Sequence, residues 1–137
     1  MSEPCILLVE DNADDAFLAS RIVRKVCSER IVVVRDGEEA LDLLKEMEKD
    51  GSHTLVRLVL LDLKLPKLSG LDVLKMIRRS PQLRDLPVVV LTSSDNHLDQ
   101  ERCRELGVID YIFKPMTADR LKLALSGGQR SRPAFSG

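Results

Sequence analysis

The fold is set by Ile6-Leu7-Leu8-Val9-Glu10-Asp11, in which a short apolar run ends in two carboxylates. An uninterrupted apolar run of this length predicts a strand that is buried on both faces, as in a parallel sheet. The run Leu58-Val59-Leu60-Leu61 ends in the same way at Asp62, and Tyr111-Ile112-Phe113 ends at Lys114. Each run therefore predicts a charged side chain at the point where a strand leaves the sheet.

Helical patterns follow each of the apolar runs along the chain. Alternation of this kind predicts an α/β fold, a (βα)5 doubly wound parallel sheet with helices on both faces and right-handed crossovers. Ligands bind such sheets at the carboxyl ends of the strands. The predicted strands cover residues 6–10, 31–35, 58–62, 88–91 and 111–113, and the predicted helices cover residues 14–27, 36–49, 71–79, 98–106 and 118–125.

Spacing within the predicted helices indicates which side chains face the sheet. In the first helix the predicted buried stripe is Leu18, Ala19, Ile22, Val23 and Val26. In the second helix it is Leu41, Leu44 and Met47. Residues 50–56 are expected to form a loop of ordinary length. We expect one domain over residues 1–126, followed by a polar, mobile tail over residues 127–137.

Composition narrows the class of protein. The 137 residues suit one domain, and 21 basic residues nearly balance 22 acidic ones without a dense basic stripe, which argues against nucleic-acid binding. The sequence contains no apolar stretch of the ~20 residues that span a bilayer and no signal-peptide pattern. Cys5, Cys27 and Cys103 fit neither a disulfide framework nor a zinc site, so we expect buried free thiols in a reducing cytoplasm.

The strand ends predict a site with two kinds of charge. If the apolar runs lie side by side, Glu10, Asp11 and Asp62 crowd together, which is unfavourable unless a cation neutralises them. That cluster indicates a divalent metal. Lys114 indicates an anion that binds and leaves, and Thr92 also falls at a predicted carboxyl end.

These motifs resemble the receiver domain of two-component response regulators. The resemblance covers residues 5–126 and rests on the order and spacing of Glu10-Asp11, Asp62, Pro66, Gly70, Thr92-Ser93-Ser94, Tyr111 and Lys114-Pro115. It implies the flavodoxin-like strand order 2-1-3-4-5. It also implies that Asp62 accepts a phosphoryl group from a sensor histidine kinase or a histidine phosphotransfer protein. Mg²⁺ would be bound directly by Asp11, Asp62 and the backbone carbonyl of Lys64, and by Glu10 through a water.

The same resemblance assigns roles to the remaining site residues. Lys114 and Thr92 would contact the phosphoryl group, and the peptide bond between Lys114 and Pro115 would be cis. As Thr92 moves toward the phosphoryl group, Tyr111 would turn inward and alter the face made by helix 4, strand 5 and helix 5. Lys64 and Ser94 would flank the path of the hydrolytic water and tune the lifetime of the phosphorylated form.

Two further expectations concern the surfaces that bind partner proteins and the subgroup of response regulators that this chain resembles. Phe17 is expected off the buried stripe, where it would contact a kinase or phosphotransfer helix or pack at the sheet edge. Leu123 is expected to be exposed and to support a homodimer through the helix 4-strand 5-helix 5 face, which would otherwise bind a downstream protein. Residues 63–67 and 88–94 resemble the stand-alone regulators that are paired with bacterial phytochrome kinases.

Four alternatives remain open at this point. A magnesium-dependent phosphatase of the haloacid-dehalogenase type also uses an aspartyl phosphate, but Asp62-Leu63-Lys64 lacks its second aspartate. A flavin- or dinucleotide-binding fold would need a Gly-rich loop after the first strand, where this chain has Asp11-Asn12-Ala13-Asp14-Asp15. A degenerate receiver used only for docking would not need an intact site. The chain could also be a receiver fragment of a larger regulator or hybrid kinase.

Overall fold

A five-stranded parallel sheet forms the centre of the molecule in the computed structural model, which describes residues 3–127. Its strands are β1 (Cys5–Val9), β2 (Arg30–Val34), β3 (Val56–Leu61), β4 (Val88–Thr92) and β5 (Asp110–Phe113). Their order in the sheet is β2-β1-β3-β4-β5, with every neighbouring pair parallel. This order confirms the predicted flavodoxin-like fold.

Polar residues that follow the strands begin the helices. The helices are α1 (Ala13–Val26), α2 (Gly37–Asp50), α3 (Gly70–Arg79), α4 (His97–Glu105) and α5 (Ala118–Gly127). The side chains of Asn12, Asp36, Ser69 and Asn96 accept hydrogen bonds from backbone N–H groups in the first turns of α1 to α4. Because these caps come directly after strands or short loops, each βα connection is short and fixed in direction.

The sheet divides the apolar core into two layers. Leu7, Val9 and Leu61 pack on one face with α2 and α3, whereas Leu8 and Leu60 pack on the other face with α1 and α5. This alternation follows from the two-residue period of a strand. Burying each of these side chains contributes about 1.5–3 kcal/mol, so the central strands are strongly held. The strand ends are therefore rigid supports for whatever side chains follow them.

Three expectations about individual segments need correction. Leu18 was expected in the buried stripe of α1 but is 54% exposed. The predicted Ala19 and Val23 are buried, and Ile22 and Val26 are partly buried against the same core. The buried face of α1 also includes Ala16 and Ser20. Its small residues let α1 lie close to the sheet and turn Leu18 outward. Residues Ser52–Leu55, expected to be loop, form a 3-10 helix. Cys27 is only partly buried, whereas Cys5 and Cys103 are fully buried, and all three thiols are free.

The two ends of the chain are only partly described. Gly127 ends α5, and the rest of the predicted tail lies outside the described residues. Within residues 3–127, no helix is both long enough and apolar enough to cross a membrane.

Candidate functional site

Strand pairing brings Glu10 and Asp62 side by side. Val9 pairs with Leu61 in the parallel β1–β3 ladder, and the Asp62 N–H donates to the Val9 carbonyl at 3.1 Å. Glu10 N–H donates to the Val34 carbonyl of β2 at 3.0 Å. The two carboxylates therefore leave neighbouring strands at the same edge of the sheet, one residue beyond the strand ends.

An acidic cluster is formed by Glu10, Asp11 and Asp62. Each offers a carboxylate oxygen, and these oxygens lie within 4.8 Å of one another. Glu10 and Asp62 are buried and Asp11 is exposed. Hard oxygen ligands of this kind, crowded and partly buried, suit a divalent cation with several of its own waters. Burial raises the pKa of the Glu10 carboxyl, although its hydrogen bonds with Lys114 and the Asn12 N–H oppose that rise.

Backbone groups orient the two buried carboxylates. The Asn12 N–H donates to Glu10 Oε2 at 3.2 Å, and the Lys64 N–H donates to Asp62 Oδ1 at 3.1 Å. Each carboxylate is thus held by the residue two positions further along the chain. The other oxygen of each carboxylate, Glu10 Oε1 and Asp62 Oδ2, faces Lys114.

Lys114 provides the counter-charge of the cluster. Its Nζ lies 2.7 Å from Glu10 Oε1, 2.9 Å from Asp62 Oδ2 and 2.9 Å from Asp15 Oδ2, and its side chain is 16% exposed. An ammonium group has three N–H donors, so all of them have carboxylate partners. Burial alone would lower the pKa of Lys114, but its three carboxylate partners raise it overall. The group therefore stays charged.

The position of Lys114 follows from β5. Its N–H donates to the Thr92 carbonyl at 2.9 Å, which continues the β4–β5 ladder by one residue. The Lys114–Pro115 peptide bond is cis. Strand β5 therefore brings the ammonium group to the same edge of the sheet as the acidic cluster.

Thr92, Ser94 and Tyr111 form a second hydrogen-bonded group beside the cluster. The Ser94 N–H donates to Thr92 Oγ1 at 3.3 Å, and Ser94 Oγ donates to Asp99 of α4 at 3.2 Å. The Tyr111 hydroxyl donates to the Ser94 carbonyl at 2.9 Å. Tyr111 is 4% exposed, so its ring occupies the inward position, and burial raises its pKa to about 12.

A surface cavity of about 470 Å³ lies next to Lys114, between α1 and the segment after β5. Its lining includes Asp15, Leu18, Arg21, Lys25, Lys114 and Met116. On the same helix, Phe17 is 61% exposed, and the Arg21 guanidinium carbon lies 5.9 Å from the centre of its ring. Arg21 and Lys25 thus place two basic side chains at the edge of this cavity, close to Lys114.

Asp15 is the site residue that the sequence analysis did not single out. The relevant signal is helical spacing, because Asp15 precedes the buried Ala19 by four residues and so shares the inner face of α1. That spacing could have indicated that Asp15 faces the strand ends.

The family model of the response regulator receiver domain matches residues 6–126, which span the sheet and nearly all of its helices. The chain belongs to the response regulator receiver family. This result confirms the resemblance and decides against the haloacid-dehalogenase and flavin-binding alternatives. Among curated relatives, the probable methanogenesis regulatory protein FilR2 of Methanothrix harundinacea is 45% identical over 118 residues, which cover 85% of this chain and 76% of FilR2.

Three solved structures of regulators have the same receiver fold. The bacteriophytochrome response regulator AtBRR is 37% identical with a TM-score of 0.79, and the alignment covers 100% of both chains. The Mn(2+)-bound form of the response regulator Rcp1, a protein of Synechocystis sp., is 34% identical with a TM-score of 0.74 over 90% of each chain. The phosphorylated cyanobacterial phytochrome response regulator RcpA is 34% identical with a TM-score of 0.74 over 91% of each chain.

These likenesses confirm the narrower similarity to regulators paired with phytochromes. The receiver is a two-component signalling domain, and its acidic cluster has the ligands that a divalent metal requires.

Proposed function

We propose that this receiver accepts a phosphoryl group on Asp62 in a Mg²⁺-dependent step, with a histidine kinase or a histidine phosphotransfer protein as the donor. The observation that supports the proposal is that the Asp62 carboxylate belongs to the acidic cluster and also contacts the Lys114 ammonium. A carboxylate is a weak nucleophile in water, but phosphoryl transfer requires mainly positioning and charge neutralisation.

In the proposed step an Asp62 oxygen attacks the phosphorus of a phosphohistidine. The P–N bond breaks, and the imidazole nitrogen keeps the electron pair and takes a proton from water. Lys114 and the Thr92 hydroxyl bind the phosphoryl oxygens. When bound, Mg²⁺ would supply positive charge that offsets the negative charge of the phosphoryl group. Asp11, Asp62 and the Lys64 carbonyl would hold the ion directly, and Glu10 would hold it through a water.

The receiver also assists its own dephosphorylation in this proposal. Water must reach the acyl phosphate past the side chains that lie two residues after Asp62 and two residues after Thr92. Lys64 and Ser94 occupy those positions, and the Lys64 N–H already contacts Asp62. We therefore propose that Lys64 and Ser94 tune the lifetime of the phosphorylated form.

Signalling would depend on the hydrogen bonds that join Thr92 to Tyr111. If the Thr92 hydroxyl turns to a phosphoryl oxygen, the Ser94 N–H loses its acceptor, and the Ser94 carbonyl that receives the Tyr111 hydroxyl moves with it. The ring of Tyr111 lies inward in this structure, and phosphorylation would then change the fraction of molecules in which it is inward rather than outward. This couples Asp62 to the face of α4, β5 and α5.

Exposed apolar side chains suggest where partners bind. Leu98 of α4, Phe113 of β5 and Leu123 of α5 are 65%, 48% and 63% exposed. We propose that this face binds a downstream protein or a second copy of the chain. The phosphoryl donor, a histidine kinase or a histidine phosphotransfer protein, would bind near Phe17 of α1, beside the cavity at Lys114. Three free thiols fit a reducing compartment, and we propose the cytoplasm.

The test is phosphorylation by acetyl phosphate, followed by intact-protein mass measurement. We expect one phosphoryl increment that requires Mg²⁺, survives acid and is lost in base. The increment should be absent from Asp62→Asn. Asp42→Asn is the matched control, because Asp42 is an exposed carboxylate on α2. An increment of equal size in Asp62→Asn, or one independent of divalent metal, would refute the proposal.

A further inference from the structure

The third donor of the Lys114 ammonium is directed to a residue outside the proposed phosphorylation chemistry. Glu10 and Asp62 belong to the acidic cluster, whereas Asp15 lies on α1, 99 residues away from Lys114 along the chain. Its Oδ2 lies 2.9 Å from Lys114 Nζ. The Asp15 N–H donates to the capping side chain of Asn12 at 2.9 Å, so the first turn of α1 fixes this residue.

Lysine is a point charge on a long flexible stem, so holding its ammonium group in one place restricts many rotamers. Glu10 and Asp62 hold Lys114 from the sheet, and Asp15 holds it from α1. Formation of an acyl phosphate would bond an Asp62 oxygen to phosphorus in a mixed anhydride and remove the charge of that carboxylate. Asp15 would still be an anion, and it is outside the cluster that would bind the metal.

Resting on the proposed function, we infer that Asp15 is a positioning residue that holds the Lys114 ammonium over Asp62 throughout phosphoryl transfer. It thereby links the position of α1 to the group that neutralises the phosphoryl oxygens.

The same geometry allows an opposing effect. The Asp15 carboxylate is a negative charge near an incoming anion, and repulsion would slow phosphorylation. Two features weaken that repulsion. The Lys114 ammonium contacts both Asp15 and Asp62, and Asp15 lies in the first turn of α1, where the helix dipole favours negative charge. Loss of Asp15 should therefore slow phosphorylation.

The experiment measures the rate constant for phosphorylation by acetyl phosphate at saturating Mg²⁺. We expect Asp15→Ala to lower it about tenfold, the effect of losing one charge-assisted hydrogen bond. Asp15→Asn keeps an oxygen acceptor without the charge and should be slower than wild type by about threefold. Asp14→Ala is the matched control, because Asp14 is an exposed carboxylate in the same helical turn.

A second readout follows Lys114 itself. A held ammonium group exchanges its protons slowly, so the ¹⁵N-attached proton signal of Lys114 should be visible in wild type and Asp14→Ala and lost in Asp15→Ala. Asp15→Asn keeps the shape of the side chain, and its rate and Lys114 signal decide the question if Asp15→Ala is unstable.

Rates equal to or above the wild-type rate in both Asp15 variants would overturn the inference while leaving the proposed function intact, provided that Asp62→Asn remains unmodified. An unmodified wild-type protein would overturn both.

Discussion

At the scale of single residues, Tyr111 provides a probe that needs no labelling, because the chain has one tyrosine and no tryptophan. Burial raises its pKa from the usual value of 10 to about 12. We therefore predict that tyrosinate absorbance appears near pH 12 in the folded protein and near pH 10 in the denatured protein. The raised pKa stabilises the folded state fully below pH 10, and this stabilisation is lost as the pH rises to about 12.

Tyr111→Phe supplies the baseline for that titration. A folded protein whose tyrosine titrates near pH 10 would contradict the buried position of the ring. The hydroxyl lost in Tyr111→Phe is the one that donates to the Ser94 carbonyl.

Single residues of the site differ in how readily the sequence reveals them. Glu10, Asp62 and Lys114 each end an apolar run, so their place at the sheet edge follows from strand geometry alone. Helical spacing places Asp15 on the inner face of α1, but spacing alone does not predict its contact with Lys114, which also depends on how α1 is rotated against the sheet. That rotation is set by the packing of Ala16, Ala19 and Val23, which tertiary contacts decide.

At the scale of secondary-structure elements, Arg78 joins α3 to the loop before β4 and to the end of α4. Its guanidinium donates to the carbonyls of Arg84 at 2.9 Å, Leu86 at 2.8 Å, Leu106 at 2.6 Å and Gly107 at 3.2 Å. Arg78→Ala removes the donor from all these acceptors. We predict that it lowers the free energy of unfolding by about 3 kcal/mol, measured by urea denaturation.

Arg79 offers a matched control for this prediction. It is the next residue of α3, it is exposed, and Arg79→Ala should change stability by less than about 0.5 kcal/mol. Equal effects of the two substitutions would show that the Arg78 hydrogen bonds do not hold these elements together.

Element type was easier to predict than element detail. Each strand was found within two residues of its predicted start because apolar runs mark strands directly. The outward Leu18 and the 3-10 helix at Ser52–Leu55 were not predicted. The burial of Ala16 and Ser20 in place of Leu18 reflects close approach of α1 to the sheet, which hydrophobicity alone does not encode.

At the scale of the whole molecule, metal binding and global stability should be linked through the acidic cluster. A ligand that binds only the folded state stabilises it by about 2.7 kcal/mol at one hundred times its dissociation constant. We predict that Mg²⁺ raises the thermal unfolding midpoint. In Asp11→Asn the rise should largely disappear, whereas the metal-free protein should become slightly more stable because repulsion within the cluster falls.

Asp42→Asn should behave like wild type in that unfolding experiment, because Asp42 lies on α2 outside the cluster. Loss of metal-free stability in Asp11→Asn, together with an unchanged response to Mg²⁺, would contradict the assigned role of Asp11.

Fold topology is the property of the whole molecule that the sequence predicted best. Alternating strands and helices with right-handed crossovers leave few arrangements, and the family resemblance implied the observed order.

The separation of Lys114 from its partners also matters while the chain is being made. A ribosome adds Lys114 52 residues after Asp62 and 99 residues after Asp15. Until β5 is synthesised, a nascent β1–β3 pair presents its crowded carboxylates without their ammonium partner. We therefore expect a divalent cation, which suits such a cluster of carboxylates, to favour this strand pairing during synthesis.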